Sequence, residues 1–420
     1  MNAPRDFWAF FAGQTISNFG SSVTIVALPL TVFYLTGSAL NLGATTAATF
    51  LPYLLFGLVI GAWVDRLDRR RLMIVADLLR GVVVATIPAL AFTDRLEVWH
   101  VYVVAFVNST LTICFDSAQF AAIPSLVEAR DLVTANGRIQ ASYSTAAFAG
   151  PFVAGFVIAR SSTEAVLMVD AASFGLSAVT LLTIRRPFNA PRAAGAQGSV
   201  RRDVVEGLRY VLGHPVLRNI SIMMALVNLV GATAFSQIVL FATERLEATE
   251  AQVGFFFSAG SAGVIAFSLT VGPLRRRYRF GAVALGALAL DGALTVGMAV
   301  MPWLWGGLVL WGLVSGVGVL FNITTGSLRQ AIVPNHLLGR VMSVASVMAF
   351  SAIPLGTLAG GWLIERTGNV AAVYAGIGLT IVIIALAFSR SALWRAEEYL
   401  PAPETGSARA EGAPMETVAA

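Results

Sequence analysis

No lysine occurs anywhere in the 420 residues, and histidine and cysteine are nearly as scarce, at three and one. Without lysine no Gly-x-x-x-x-Gly-Lys-Ser/Thr phosphate loop can exist, so an ATP-driven pump is disfavoured. A single cysteine, Cys114 inside an apolar run, forms neither a disulfide framework nor a metal cluster. His100, His214 and His336 fall at three separate loops or segment ends, which argues against a membrane enzyme. Charge is short as well: 12% of residues are charged while 57% are hydrophobic. A soluble fold would have too little polar surface to cover that much apolar material. What basicity there is, a net +5, comes from arginine alone. The arginines fall in short clusters between apolar segments and do not form a nucleic-acid-binding stripe.

Twelve apolar stretches are long enough to cross about 30 Å of hydrocarbon as helices. They lie near residues 7–35, 42–64, 72–93, 99–122, 138–160, 164–184, 216–243, 251–274, 279–300, 303–328, 340–364 and 368–389. The runs are continuous and do not alternate with period two, so helices and not a barrel are expected. The chain reads as an all-α membrane protein. A half over residues 1–184 is followed by a cytoplasmic linker over 185–215, a second half over 216–389 and a tail over 390–420. Asp203–Leu212 reads as a short amphipathic helix in the linker, and the polar tail is expected to be unstructured from about Glu397. No cleavable leader is expected at the start. Arg5, Arg66, Arg69–Arg71, Arg130, Arg138, Arg185–Arg218, Arg275–Arg279, Arg329 and Arg340 share one side of this topology. Only Arg95, Arg160, Arg245 and Arg366 fall on the other, so both termini are expected in the cytoplasm.

The most charged interval, Gly61-x-x-x-Asp65-Arg66-x-x-Arg69-Arg70, lies between the second and third runs. Its spacing resembles the loop between helices two and three of the major facilitator superfamily. That resemblance implies twelve transmembrane helices in two pseudo-symmetric six-helix halves, with substrate bound between them. It also implies that Asp65 clasps the start of a helix in the other half and stabilises the outward-facing state. Arg69 would then pair with an acid on the fourth helix, for which Asp116 is the natural choice. The alternative is that these arginines only set topology. The halves repeat one another weakly: Gly137-Arg138 opens the fifth run and Gly339-Arg340 the eleventh.

Gly150-Pro151 with Gly155, and Pro354 with Gly360-Gly361, resemble the helix-bend motif of the superfamily's exporters and lean toward efflux. Proline removes a backbone hydrogen bond and glycine permits close helix approach, which together make a bend between halves. Ionisable groups inside the membrane are functional candidates. Asp291, mid-span in the ninth run, and Asp170, in the sixth, are candidate proton carriers, each with a structural alternative. Asp77 and Arg80 stand three apart and read as a mutually neutralising structural pair. Gln14, Asn18, Asn108, Asn228, Gln237 and Asn322 lie on the first, fourth, seventh and tenth runs, which line the cavity in this fold. Each is open to two readings, substrate contact or hydrogen bonding between helices.

Phrases such as Leu28-Pro29-Leu30, Leu51-Pro52-Tyr53 and Ser327-Leu328-Arg329-Gln330 are similar to the bacterial branch that includes macrolide-efflux and enterobactin-export proteins. The branch implies a proton-driven exporter of amphipathic small molecules, working without a cofactor, as a monomer in the bacterial cell membrane. Its partners would be a small-molecule substrate, protons and lipid, with no nucleic acid. Proton-coupled uptake is the alternative, and a non-transporting scaffold a third reading.

Overall fold

Long uninterrupted apolar sequence can satisfy its backbone in hydrocarbon only by coiling on itself, and the computed structural model is helical throughout the residues it describes, 5–64, 67–128, 131–188 and 200–400. The first six spans are α1 (Arg5–Thr36), α2 (Ala39–Val64), α3 (Arg69–Ala91), α4 (Val98–Leu126), α5 (Leu132–Ile158) and α6 (Thr163–Thr183). The amphipathic α7 (Val200–Gly213) follows, longer at both ends than the sequence suggests, and then α8 (Pro215–Ser236), the one-turn α9 (Ile238–Leu240) and a π-helical turn over Phe241–Arg245. After these come α10 (Glu250–Ser268), the short α11 (Val271–Arg277), α12 (Phe280–Val300), α13 (Leu304–Ile332), α14 (Asn335–Phe350), α15 (Ala352–Thr367) and α16 (Val370–Phe388). Among the described residues, twelve helices are long and apolar enough to cross a membrane, α14 and α15 forming one of them.

Polar residues stop and start these helices. The Asp68 carboxylate accepts from Arg71 N at 3.0 Å and opens α3. Ser162 and Asn369 do the same for α6 and α16, as N-terminal amides without an intrahelical partner require. His214 sits before α8, its Nδ1 accepting from Leu217 N at 3.4 Å. Burial against neighbouring side chains pushes its pKa down, which favours the neutral imidazole that can accept. The chain beyond Phe388 does not fray at Glu397 as its polarity suggests. A 3₁₀ helix runs over Ala392–Tyr399, and Glu397 accepts from Phe280 N and lies 3.9 Å from Arg275. Burial lowers the Arg275 pKa while Glu397 raises it. Residues 401–420 lie outside the described part.

In the first six spans α1 packs on α5 and α6, and α3 bridges α4 and α6; in the last six α12 joins α13 and α16, and α10 packs on α13. The two groups meet along α2 with α15 and α5 with α10. Those seams are tight at the face opposite the chain's ends. A Cβ on Gly254 would lie 2.6 Å from Pro151 O, and one on Gly155 would lie 2.9 Å from Ala251 O, so both helices must carry glycine there.

Candidate functional site

Three carboxylates gather around one arginine inside the first six spans. Arg80, only 6% exposed on α3, holds Asp77 at 3.5 Å one turn away. The same guanidinium reaches Asn108 of α4 and Ser21 of α1, both at 3.4 Å, and stacks 4.0 Å over the Phe174 ring of α6. Asp170, fully enclosed on α6, accepts from Thr24 of α1 at 2.5 Å and from Ser173. Gly20 makes that approach possible, because a Cβ there would sit 2.7 Å from the Asp170 carboxylate. Gln14 of α1 donates to Ser177 of α6 at 3.2 Å. Asp116 of α4 has Arg80 as its charged neighbour. One guanidinium therefore pairs with Asp77 and is the cation that acts electrostatically on Asp116 and Asp170, in spans where an uncompensated buried charge costs about 2.5 kcal/mol or more. One Asp77 oxygen is buried without a hydrogen bond.

The sequence reading of Asp77 and Arg80 as a self-contained pair is thus too narrow, for the pair is the centre of a cluster spanning four helices. The pairing expected between Arg69 and Asp116 is also not what the structure brings together. Arg69 donates to Phe188 O at 3.3 Å. Arg70 donates to Leu181 O at 2.9 Å and Leu182 O at 2.7 Å. Leu181 and Leu182 belong to the last turn of α6, whose carbonyls carry partial negative charge, and Phe188 lies in the chain that follows it. Asp65 and Arg66 lie outside the described residues; Gly61 belongs to the last turn of α2.

Pro151 shows what the bend motif does at atomic level. Proline has no N–H to give its i−4 carbonyl, Ala147 O. Ser261 of α10 donates to that oxygen at 2.6 Å, so the missing helical bond becomes a bond between the two groups of spans. Gly150 lies against Ser22 of α1, and α5 runs unbroken from Leu132 to Ile158. The break falls instead in the eleventh span, between α14 and α15, three residues before Pro354. Gly360 packs on Thr233 and Gly361 on Ala39 O.

Two cavities neighbour each other, one between the two groups of spans and the other between α4 and α5. One, of about 420 Å³, is walled by Tyr143, Pro151, Phe235, Phe257 and Trp311, with Ser315 and Gln140 as polar points. The other, of about 560 Å³, shares Tyr143 and Gln140 and extends along Asn136, Gln119 and Asp116. Asp116 is the one charged side chain lining either cavity among the described residues. The six amides expected at the cavity line neither of these two. Asn18 donates to Ser142 of α5 at 3.4 Å, Asn228 to Ala349 O at 2.9 Å and Gln237 to Ala39 O at 2.7 Å. Asn322 turns back to Gly318 O at 3.0 Å, Asn108 faces Arg80, and Gln14 faces Ser177. The lining residues that sequence reasoning missed, Tyr143, Phe257 and Trp311, sit in apolar runs where nothing distinguishes a cavity aromatic from a lipid-facing one.

Among the described residues, two ionisable groups of the last six spans stand apart from any ion pair. Asp291 of α12 faces Gly318 of α13, and among the described residues its carboxylate takes no hydrogen bond. Arg329 of α13 is 5% exposed, and among the described residues its guanidinium reaches the Met224 sulfur, at 3.2 Å.

The chain resembles known proteins along most of its length. "Multidrug efflux pump Tap" of Mycolicibacterium fortuitum is 32% identical over 361 residues, covering 83% of this chain and 87% of that protein. "Macrolide efflux protein A" of Streptococcus pyogenes is 25% identical over 368 residues, covering 86% and 90%. Among solved structures, the nucleoside transporter NupG superposes with a TM-score of 0.77 at 15% identity, covering 93% of this chain and 100% of its own. A bacterial homologue of the iron transporter ferroportin, in an inward-facing state, gives 0.70 at 15% identity, covering 92% and 99%. At such identities the structures speak to fold alone. The Major Facilitator Superfamily profile matches residues 10–357, and with twelve spans in this arrangement the chain belongs to that superfamily of membrane transporters.

Proposed function

We propose that this transporter exports amphipathic, drug-like or siderophore-like small molecules in exchange for protons, by alternating access between its two six-helix halves. The arginine distribution supports cytoplasmic termini, and in that orientation the tight seams close the outer face. The observation that carries the reading is Asp116. It is the charged group at the cavity wall, and it is electrostatically tied to the buried Arg80–Asp77–Asp170 cluster. A proton taken by this cluster relieves an excess of carboxylates over cations, and a basic substrate group at Asp116 competes for the same charge. Coupling therefore runs through the Asp170 side of the protein, and Asp291 is the second candidate. The aromatic walls suit a large apolar body, and the efflux proteins named above support the outward direction. Within this reading Asp65, with Gly61 and Arg66, clasps the inner face when the cavity opens outward.

The test is energised efflux from cells expressing the protein, against macrolides, tetracyclines, phenicols, dyes and catecholate siderophores, with and without an uncoupler. Efflux of one or two compounds that stops on uncoupling is the expected result. Accumulation of the compounds in right-side-out vesicles, with none in everted ones, would replace export by uptake.

A further inference from the structure

The face opposite the chain's ends is fastened by two carboxylates of the second half acting on one turn of the first. α1 ends at Thr36 and α2 begins at Ala39, and the turn between them passes through Gly37 at φ +58°, a left-handed conformation that suits glycine. Glu365, near the end of α15, accepts from the Ser38 hydroxyl and from Leu40 N at 3.2 Å. Ser38 in turn accepts from Asn41 N at 3.1 Å, and Tyr102 of α4 donates to the Asn41 side chain at 2.7 Å. The Glu365 charge thus lies at the positive end of α2, among amides that have no helical acceptor. On the other side of the turn, Glu250 opens α10 as a charged neighbour of Tyr34 near the end of α1. Gln237, at the end of α8, donates to Ala39 O within the same seam.

We propose that Glu365, assisted by Glu250, is the latch that holds this face shut. Opening the face requires α2 to leave α15; the Glu365 contacts cross that seam, and Gln237 of the second half grips the same turn from the end of α8. The acceptors are charged while the donors are a neutral turn and a helix end, so removing the carboxylate removes the attraction and leaves the turn intact. Ser38 and Leu40 N then return to solvent without a buried charge being orphaned. That separates a latch from a structural ion pair, whose loss would destabilise the whole fold. The inference goes beyond the export reading: it concerns which face opens, and it needs neither a proton nor a substrate.

The experiment is distance measurement by double electron–electron resonance in liposomes without a proton gradient. Spin labels go on Thr93→Cys, in the loop after α3, and Pro302→Cys, in the loop after α12, with Cys114→Ala as background. Both loops lie on the latched face, one in each half. Glu365→Ala is expected to raise the population with the longer separation by roughly two- to fivefold, the factor expected for a charge at a helix end. Ser38→Ala should give a smaller rise in the same direction, and the Glu250→Ala/Glu365→Ala double variant a larger one. An unchanged distribution in the Glu365→Ala and Ser38→Ala proteins, each folded and inserted, would overturn the latch. Should Glu365→Ala fail to fold, that failure itself contradicts a latch, and Ser38→Ala still reads the seam. Because neither substrate nor uncoupler enters, the result stands apart from that of the efflux assay.

Discussion

Arg80→Met is expected to cripple the fold, lowering the thermal midpoint in detergent far more than any other single exchange among the intramembrane polar residues. The replacement keeps much of the volume but leaves Asp77, which is fully buried, without its ion partner, and Asn108 and Ser21 without a donor. Breaking a buried pair by removing one member costs about 3–5 kcal/mol, a large share of the roughly 5–15 kcal/mol that holds a domain folded. Two companions make the prediction specific. Asp77→Asn in the Arg80→Met background should restore part of the midpoint, because the orphaned charge is gone. Arg80→Lys should fall between, keeping charge while losing the planar stack on Phe174 and the fork to two helices. Equal midpoints for Arg80→Met and wild type would mean that the cluster is not held together by its cation.

Asp116→Asn is expected to leave folding intact and to uncouple transport. Asp116 lines a cavity and not a close-packed seam, so the amide is accommodated. What is lost is a site whose occupancy by proton or substrate excludes the other. Gradient-driven efflux by a normally inserted variant should fall by roughly 5- to 150-fold, the range that a coupling free energy of about 1–3 kcal/mol spans. Asp170→Asn should act in the same direction, with some loss of stability because Thr24 and Ser173 bind its carboxylate. Asp291→Asn, measured in parallel, should retain most of the proton-linked rate. The opposite pattern, with Asp291→Asn uncoupled and Asp116→Asn active, would move coupling to the second half.

Hydropathy made the twelve spans legible because each span's requirement is local: some twenty apolar residues with polar ends. The amphipathic α7 was legible for the same reason. Asp77 and Arg80, one turn apart, carried a local signal of pairing, but Asp170 and Thr24 are separated by 146 residues and no periodicity connects them. The same limit hid the partners of Arg69 and Arg70, which lie 119 and 111 residues away, after α6 and in its last turn. Proline at 151 announced a missing hydrogen bond, yet only the packing of α10 reveals that Ser261 replaces it. An amide inside a span reports only that it needs a partner. Whether that partner is substrate or another helix depends on which helix stands opposite, and for Asn18, Asn228 and Gln237 the structure supplies a helix.

The measurement that bears most directly on proton-coupled export is proton movement in liposomes reconstituted with the purified protein and loaded with a pH-sensitive dye. An outward gradient of a transported compound, with no proton gradient imposed, should acidify the lumen in wild type and leave it unchanged in Asp116→Asn. Substrate leaving through wild-type protein with no change in luminal pH would contradict exchange for protons.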